Sequence, residues 1–318
     1  MNSINHPSIS CPFSAANLEQ LTQLAIEAAQ QAGEYIAAFP RSSLEVDRKS
    51  STLSLSAQVV TQVDVYCEQL ILDHLKQATQ QFELAVLAEE NTQQHSLSQH
   101  PRLTQPAFWA IDPLDGTLPF IEGGNGCAVS IALVNKQGQP LIGVVYLPFS
   151  KVLYHSYFDV NSHQYRSIKQ QQTFSLSTAK INQALVFYCD RSSLKEAYFS
   201  PLKQQLSALA NRLGYQELVV NQDAGAVVNA CSAMESNDAF YLKLAKRNEG
   251  GGSIWDFAAT AAIARGRGAW VSDSLGQTLA LNNSGSSFMN QQGVLYASSQ
   301  DIAEQILALK LNQQFSDI

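Results

Sequence analysis

Charge is scarce in this chain. Asp, Glu, Lys and Arg make up 15 % of its 318 residues, below the usual quarter, and Gln, Ser and Asn take their place on the expected surface. There is no basic excess: 20 Lys and Arg against 27 Asp and Glu give a net charge of −7. A general nucleic-acid or membrane-surface binder needs a basic face, so neither partner is expected. A small anionic substrate stays open, because a local cation inverts the field around it. Cysteine is sparse and unpatterned. Cys11, Cys67, Cys127, Cys189 and Cys231 are odd in number and form no C-x-x-C, which reads as reduced thiols, not a disulfide frame or a zinc site. No apolar run approaches a membrane span, and residues 1–14 lack the basic-then-apolar order of a signal peptide. G-x-S-x-G, Walker A and H-E-x-x-H are missing, which removes the common nucleophile, nucleotide-kinase and zinc-hydrolase readings. None of the six histidines has metal-ligand spacing. A cytoplasmic protein is the expectation.

What is present is enough apolar material, 45 % of residues, for a sizeable core. Residues 1–14 read as a flexible leader. Ser14 caps a helix with Leu18, Leu21, Ala25 and Ala28 at helical spacing, ending near Phe39 because Pro40 follows. Residues 44–58 alternate around Lys49-Ser50-Ser51 as a hairpin would. Thr61 caps a second helix with Asp64 in its first turn and Ile71, Leu72 and Leu75 on its buried side. Leu84–Ala88 reads as a strand ending in Glu89-Glu90. Ala128–Val134, Leu141–Leu147 and Val152–Phe158 form an antiparallel meander. After about residue 180 strands and helices alternate: strands at 184–188, 218–220, 239–244, 269–272 and 294–297, helices at 193–211, 225–234, 254–264 and 300–313. The change predicts two layered αβ subdomains, 15–180 and 181–318.

The informative feature is where the acids fall. Trp109-Ala110-Ile111-Asp112-Pro113-Leu114-Asp115-Gly116-Thr117 runs an apolar strand into two carboxylates three residues apart and then a Gly-Thr turn. Glu89 follows a strand, Asp64 lies in a helix's first turn and Asp256 opens a helix. Each sits at an element end, where open sites are built. Four or five carboxylates brought together repel one another unless cations occupy the site, and an all-oxygen ligand set selects Mg²⁺, Mn²⁺ or Ca²⁺ over zinc or copper.

These segments carry a resemblance. Asp112-Pro113-Leu114-Asp115-Gly116-Thr117 resembles the D-P-[IL]-D-G-T motif of the inositol monophosphatase superfamily, the magnesium-dependent, lithium-sensitive phosphomonoesterases. Glu89-Glu90 is similar to its strand-end acidic pair, Val60-Thr61-Gln62-Val63-Asp64 to its V-T-x-x-D, and Trp255-Asp256-Phe257-Ala258-Ala259 to its W-D-x-A-A. The resemblance implies an α+β fold, a layered αβαβα sandwich like that of inositol monophosphatase and fructose-1,6-bisphosphatase, with an N-terminal antiparallel-sheet subdomain and a C-terminal mixed-sheet subdomain. It implies two to three Mg²⁺ ions, with Mn²⁺ as a substitute, held by Glu89, Asp112, Asp115, Asp256 and the Leu114 carbonyl. Asp64 and Thr117, with Glu89, would serve the catalytic water, and the N–H groups of Gly116 and Thr117 would cradle the phosphate. In-line displacement without a phospho-enzyme intermediate, lithium inhibition and a homodimer as one open assembly state follow by the same resemblance.

The expected substrate is a small phosphate ester. Leu114 in the motif, the run from Phe120 to Gly126, the segment Pro140–Pro148 and Asp190-Arg191-Ser192 are similar to the 3'(2'),5'-bisphosphate nucleotidase branch. There Arg191 would meet a second phosphate, and adenosine 3',5'-bisphosphate would yield AMP and phosphate. Glu249, seven residues before Asp256, stands where inositol monophosphatases carry a hydroxyl-binding glutamate, so an inositol or sugar monophosphatase is the alternative. A non-catalytic phosphometabolite binder is a third reading, opposed by the complete set of acids.

Overall fold

The computed structural model describes residues 9–41, 46–48, 59–91, 96–174 and 183–315. Its elements in chain order are α1 (Ala15–Ala38), β1 (Val46–Arg48), β2 (Val59–Thr61), α2 (Gln62–Gln81), β3 (Ala85–Ala88), β4 (Ala107–Asp115), α3 (Thr117–Ile121), β5 (Ala128–Asn135), β6 (Pro140–Leu147), β7 (Val152–Asp159), β8 (Gln164–Lys169) and β9 (Gln172–Thr173). They continue with β10 (Ala184–Tyr188), α4 (Phe199–Arg212), β11 (Glu217–Asn221), α5 (Ala226–Glu235), β12 (Ala239–Lys243), α6 (Ile254–Arg267), β13 (Trp270–Ser272), β14 (Val294–Ala297), α7 (Gln300–Ala308) and α8 (Leu311–Phe315).

Two sheets dominate. One has the order β3-β4-β5-β6-β7-β8-β9, the other β11-β10-β12-β14-β13. Three apolar cores separate five layers. One face of the larger sheet packs on α1 and α2 through Trp109, Ile111, Ile131, Leu21 and Ile71. Its other face meets α5 and α6, which also cover the smaller sheet, through Phe108, Ala110, Val227, Ala258 and Tyr296. The outer face of the smaller sheet is sealed by α4 and α7 through Leu185, Phe240, Leu206 and Ile302. This is the αβαβα sandwich. Because β4, β5 and β6 are covered on both faces, they are buried almost throughout and mostly apolar instead of alternating.

Several boundaries differ from expectation. Residues 9–13, read as part of a leader, are seated on the core: Phe13 is buried edge-on against Phe82, and the Asn135 side chain donates to the Ser10 carbonyl at 2.7 Å. Residues 1–8 lie outside the described residues. The larger sheet is not wholly antiparallel, because β3 pairs parallel to β4; the connection over 89–106 returns the chain to the same end of the sheet. β1 pairs antiparallel with β2 (Val46 opposite Thr61), so the second strand lies at 59–61; the expected turn and residues 49–58 lie outside the described residues. The helix expected over 193–211 is a 3₁₀ turn, Arg191–Lys195, then α4. The final helix breaks into α7 and α8 at Lys310, whose φ is +52°, a conformation that interrupts a right-handed helix.

Candidate active site

Strand β4 does more than deliver an acid pair; it carries both acids inside the sheet. Trp109 and Ile111 face α1 and α2, while Phe108 and Ala110 face α5 and α6. By that alternation Asp112 turns toward α6. The register then slips: Asp112 is opposite Ser130 and Asp115 opposite Ala128. Three steps on β4 match two on β5, a bulge, and Pro113 sits inside it, where a missing N–H costs no ladder bond. The Leu114 N–H donates to Asp112 Oδ1 at 3.0 Å, closing the turn. Gly116 has φ +81°, and a Cβ there would fall 2.5 Å from the Gly126 carbonyl oxygen, so the sharp turn needs glycine.

The partners arrive from other layers. Ser130, opposite Asp112, donates its hydroxyl to the Trp255 carbonyl at 2.9 Å, which docks the start of α6 on β5. Asp256 follows, with one oxygen accepting the Ser253 N–H at 2.9 Å. Asp115 is held by the first turn of α5: Ala226 and Val227 N–H donate to its two oxygens at 3.0 and 2.9 Å. Carboxylate oxygens of Asp112, Asp115 and Asp256 lie within 4.8 Å of one another, and all three side chains are buried. Glu89 lies next to Asp112, and Asp112 next to Asp256, so that each carboxyl acts on the other. On the side of α2, the Thr117 hydroxyl lies 3.3 Å from Asp64 Oδ1 and 3.1 Å from the Leu114 carbonyl oxygen.

The electrostatics follow from that geometry. Burial, reinforced by Glu89, Asp256 and Asp115, pushes Asp112 well above the ordinary carboxylate range. Burial does the same to Glu89, with Asp256, Glu90 and Asp64 adding to it, and to Asp115, where the Val227 and Ala226 N–H groups partly oppose it. Asp256 is raised by burial against the pull of the Ser253 N–H and Lys243. Two full charges at this spacing repel by roughly 3–4 kcal/mol at an effective dielectric of about 20. Full ionisation at neutral pH therefore calls for a cation. The donor set fits a hard one: the carboxylate oxygens of Asp112, Asp115 and Asp256, with no thiolate or imidazole among them.

The expected site residues Asp64, Glu89, Asp112, Leu114, Asp115, Gly116, Thr117 and Asp256 form one neighbourhood. Arg191 and Glu249 do not join it by contact. Arg191 is tied to Glu122 at 2.6 Å, and Glu249 is exposed in the loop before α6. Beside Asp256 lies a group that sequence reading missed. Lys243 pairs with Asp190, whose other oxygen accepts the Tyr241 hydroxyl at 2.7 Å. A cavity of about 20 Å³ there is lined by Ser192, Ser193, Lys243, Lys246, Gly251 and Asn290, among others. Lys246 forms no direct ion pair among the described residues, although Glu196 and Asp190 lie close enough to favour its charge. The alternation of β12, with Tyr241 and Lys243 on one face, was the available signal. Gly225 was missed as well: a Cβ there would stand 2.2 Å from Asp115 Oδ2.

The five cysteines are free thiols, four of them buried, and no helix among the described residues is long and apolar enough to cross a membrane.

The chain is similar to known proteins in sequence and in fold. The sequence profile of the Inositol monophosphatase family matches residues 17–314. A 3'(2'),5'-bisphosphate nucleotidase CysQ from Salmonella typhimurium is 30 % identical over 220 residues, 69 % of this chain and 78 % of that protein. Inositol monophosphatase 2 of Solanum lycopersicum is 36 % identical over 137 residues, 43 % of this chain and 48 % of that protein. The solved IMPase of Thermotoga maritima superposes with a TM-score of 0.68 at 16 % identity, covering 94 % of this chain and all of that one (100 %).

Proposed function

Given that the chain belongs to the inositol monophosphatase family, a family of phosphatases, we propose that it is a Mg²⁺-dependent phosphoric monoester hydrolase acting on a 3'(2'),5'-bisphosphate nucleotide. The observation that carries the reading is the convergence of Asp112, Asp115 and Asp256 within 4.8 Å, beside a threonine hydroxyl in reach of a buried aspartate. The first half of the chain supplies Asp64, Glu89, Asp112, Leu114, Asp115 and Thr117; the second supplies Asp256.

Mg²⁺ held by Glu89, Asp112, Asp115, Asp256 and the Leu114 carbonyl would neutralise phosphate charge and lower the pKa of the attacking water. The residues do the rest. The Thr117 hydroxyl passes a proton toward Asp64 as its oxygen takes one from water, a relay of the kind that contributes about 10²–10⁴-fold. The N–H groups of Gly116 and Thr117 receive the phosphate oxygens. Lys246 is our candidate for the substrate's second phosphate: it lines the cavity near the start of α6, in the field of Glu196 and Asp190 but in no direct ion pair with either. Arg191 would reach a substrate only by leaving Glu122, and Glu249 only by the loop folding inward. The tomato relative and Glu249 keep an inositol monophosphate as the second reading.

The test compares release of phosphate from adenosine 3',5'-bisphosphate and from inositol 1-phosphate, each with Mg²⁺ and with chelator, with LiCl against KCl as a further arm. We expect the nucleotide to be preferred, turnover to need Mg²⁺ (Mn²⁺ substituting in part), and Li⁺ to inhibit. Asp112→Asn should lower turnover by more than about a hundredfold with an unchanged circular dichroism spectrum. Hydrolysis of neither ester by the wild type would sink both substrate readings and favour a non-catalytic binder.

A further inference from the structure

We infer that Glu68 is a positioning residue that sets the direction of Glu89, an inference that rests on the metal-site reading above. Glu68 lies one helical turn after Asp64 on the buried face of α2, with Val63, Asp64, Cys67 and Ile71, and is 2 % exposed. No Lys or Arg pairs with it among the described residues. Its Oε2 accepts the Glu90 N–H at 2.8 Å and its Oε1 accepts the Asn91 side-chain amide. A carboxylate kept in a helix–sheet seam without a cation is costly, and an aliphatic side chain would pack there at lower cost.

What that cost secures is visible in the backbone. The Glu89 N–H donates to the Ile111 carbonyl at 3.1 Å, continuing the β3–β4 ladder. The very next N–H, that of Glu90, goes instead to Glu68 on α2. Two consecutive amides are pinned to two different elements, and this fixes the dihedrals of Glu89 between them. Its carboxyl is thereby held toward Asp112. Because α2 also carries Asp64, the acid that would serve the water and the acid that would hold the metal are set on one rigid frame. Sites of this kind lose about 10–100-fold in metal affinity when such a supporting group is removed.

Three variants test it. Glu68→Ala removes the carboxylate that accepts the Glu90 N–H. Glu68→Asp keeps the charge but falls one methylene short of it. Glu68→Gln can restore both contacts: its carbonyl accepts the Glu90 N–H, and its amide donates to Asn91 once that side chain turns over. Mg²⁺ affinity is measured calorimetrically on the whole protein, beside the Mg²⁺ dependence of turnover and the melting temperature. Glu68→Ala and Glu68→Asp should bind Mg²⁺ about tenfold more weakly or worse, and Glu68→Gln should stay within about threefold of the wild type. At saturating Mg²⁺, kcat should remain within about threefold in all three. A purely structural role would lower the melting temperature and leave Mg²⁺ affinity unmoved. Wild-type Mg²⁺ affinity in folded Glu68→Asp or Glu68→Ala overturns this inference alone. A wild type that binds no Mg²⁺ overturns it together with the metal reading.

Discussion

At Asp115 both carboxylate oxygens are already engaged by N–H groups of α5, and this closeness depends on a residue with no side chain. A methyl group on residue 225 would press 2.2 Å from Oδ2 and 2.7 Å from the Gly116 Cα, distances that no relaxation of a side chain tip absorbs. Gly225→Ala should therefore displace Asp115 or the start of α5. We expect Mg²⁺-supported turnover to fall by about tenfold or more, with a loss of stability of about 1–3 kcal/mol. Phosphate-release kinetics and urea denaturation of the same preparation check the two. Unchanged kinetics would mean that Asp115 is not held where the reaction occurs.

Helix α6 is the element on which the site's assembly turns. It is buried along almost its whole length and lies against β6 with no room to spare: a Cβ on Gly143 would fall 2.3 Å from the Ala259 carbonyl oxygen and 2.9 Å from the Ala262 Cβ. Ser156 and Ser167 donate to the Ala262 and Ile263 carbonyls at 3.0 and 2.8 Å, so the seam is both tight and directional. Gly143→Ala should push α6 off the sheet, costing about 1–3 kcal/mol, and carry Asp256 away from Asp112. The expected result is a lower urea midpoint together with weaker Mg²⁺ activation. A stability loss with intact Mg²⁺ activation would show that α6 tilts about Asp256 instead of shifting.

Across the whole molecule the buried acids link stability to pH. Glu68 is raised by burial from an ordinary 4.5 to about 7, and Glu89, Asp112, Asp115 and Asp256 are raised as well. For acids whose folded pKa exceeds the unfolded one, the unfolded state releases its proton first. The stabilising contribution is thus full below the unfolded value and is lost as pH rises through the folded value. In chelator the protein should lose on the order of 2 kcal/mol between about pH 4.5 and 7 from Glu68 alone, with the four clustered acids extending the loss upward. Mg²⁺ should offset it, increasingly at higher pH, because binding to the folded state adds stability and competes with protons. Urea titrations at several pH values, with and without Mg²⁺, measure this; a pH-independent stability in chelator would contradict the buried placement of the acids.

Much of this protein was legible in its sequence. The caps, apolar periods and turn residues placed most strands and helices, because those signals act over a few neighbouring residues; the polar edge strands β8 and β9 went unread. Asp64, Glu89, Asp112, Asp115 and Asp256 stood out because, although one acid at an element end is an ordinary cap, four matching acidic segments together are not. The sequence did not show that β4 carries its acids through a bulge, that β3 runs parallel to β4, or that the first turn of α5 grips Asp115. Nor did it show that Arg191 is tied to Glu122 while Lys243 acts on Asp256 and Lys246 lines the neighbouring cavity, or that Glu68 fastens Glu90. Each of these joins residues far apart in the chain, and which polar groups meet depends on how layers register against each other. The chemistry of the site was set by residue type and local spacing. Which charges face the substrate, and which groups hold the acids in place, was decided only when the layers packed.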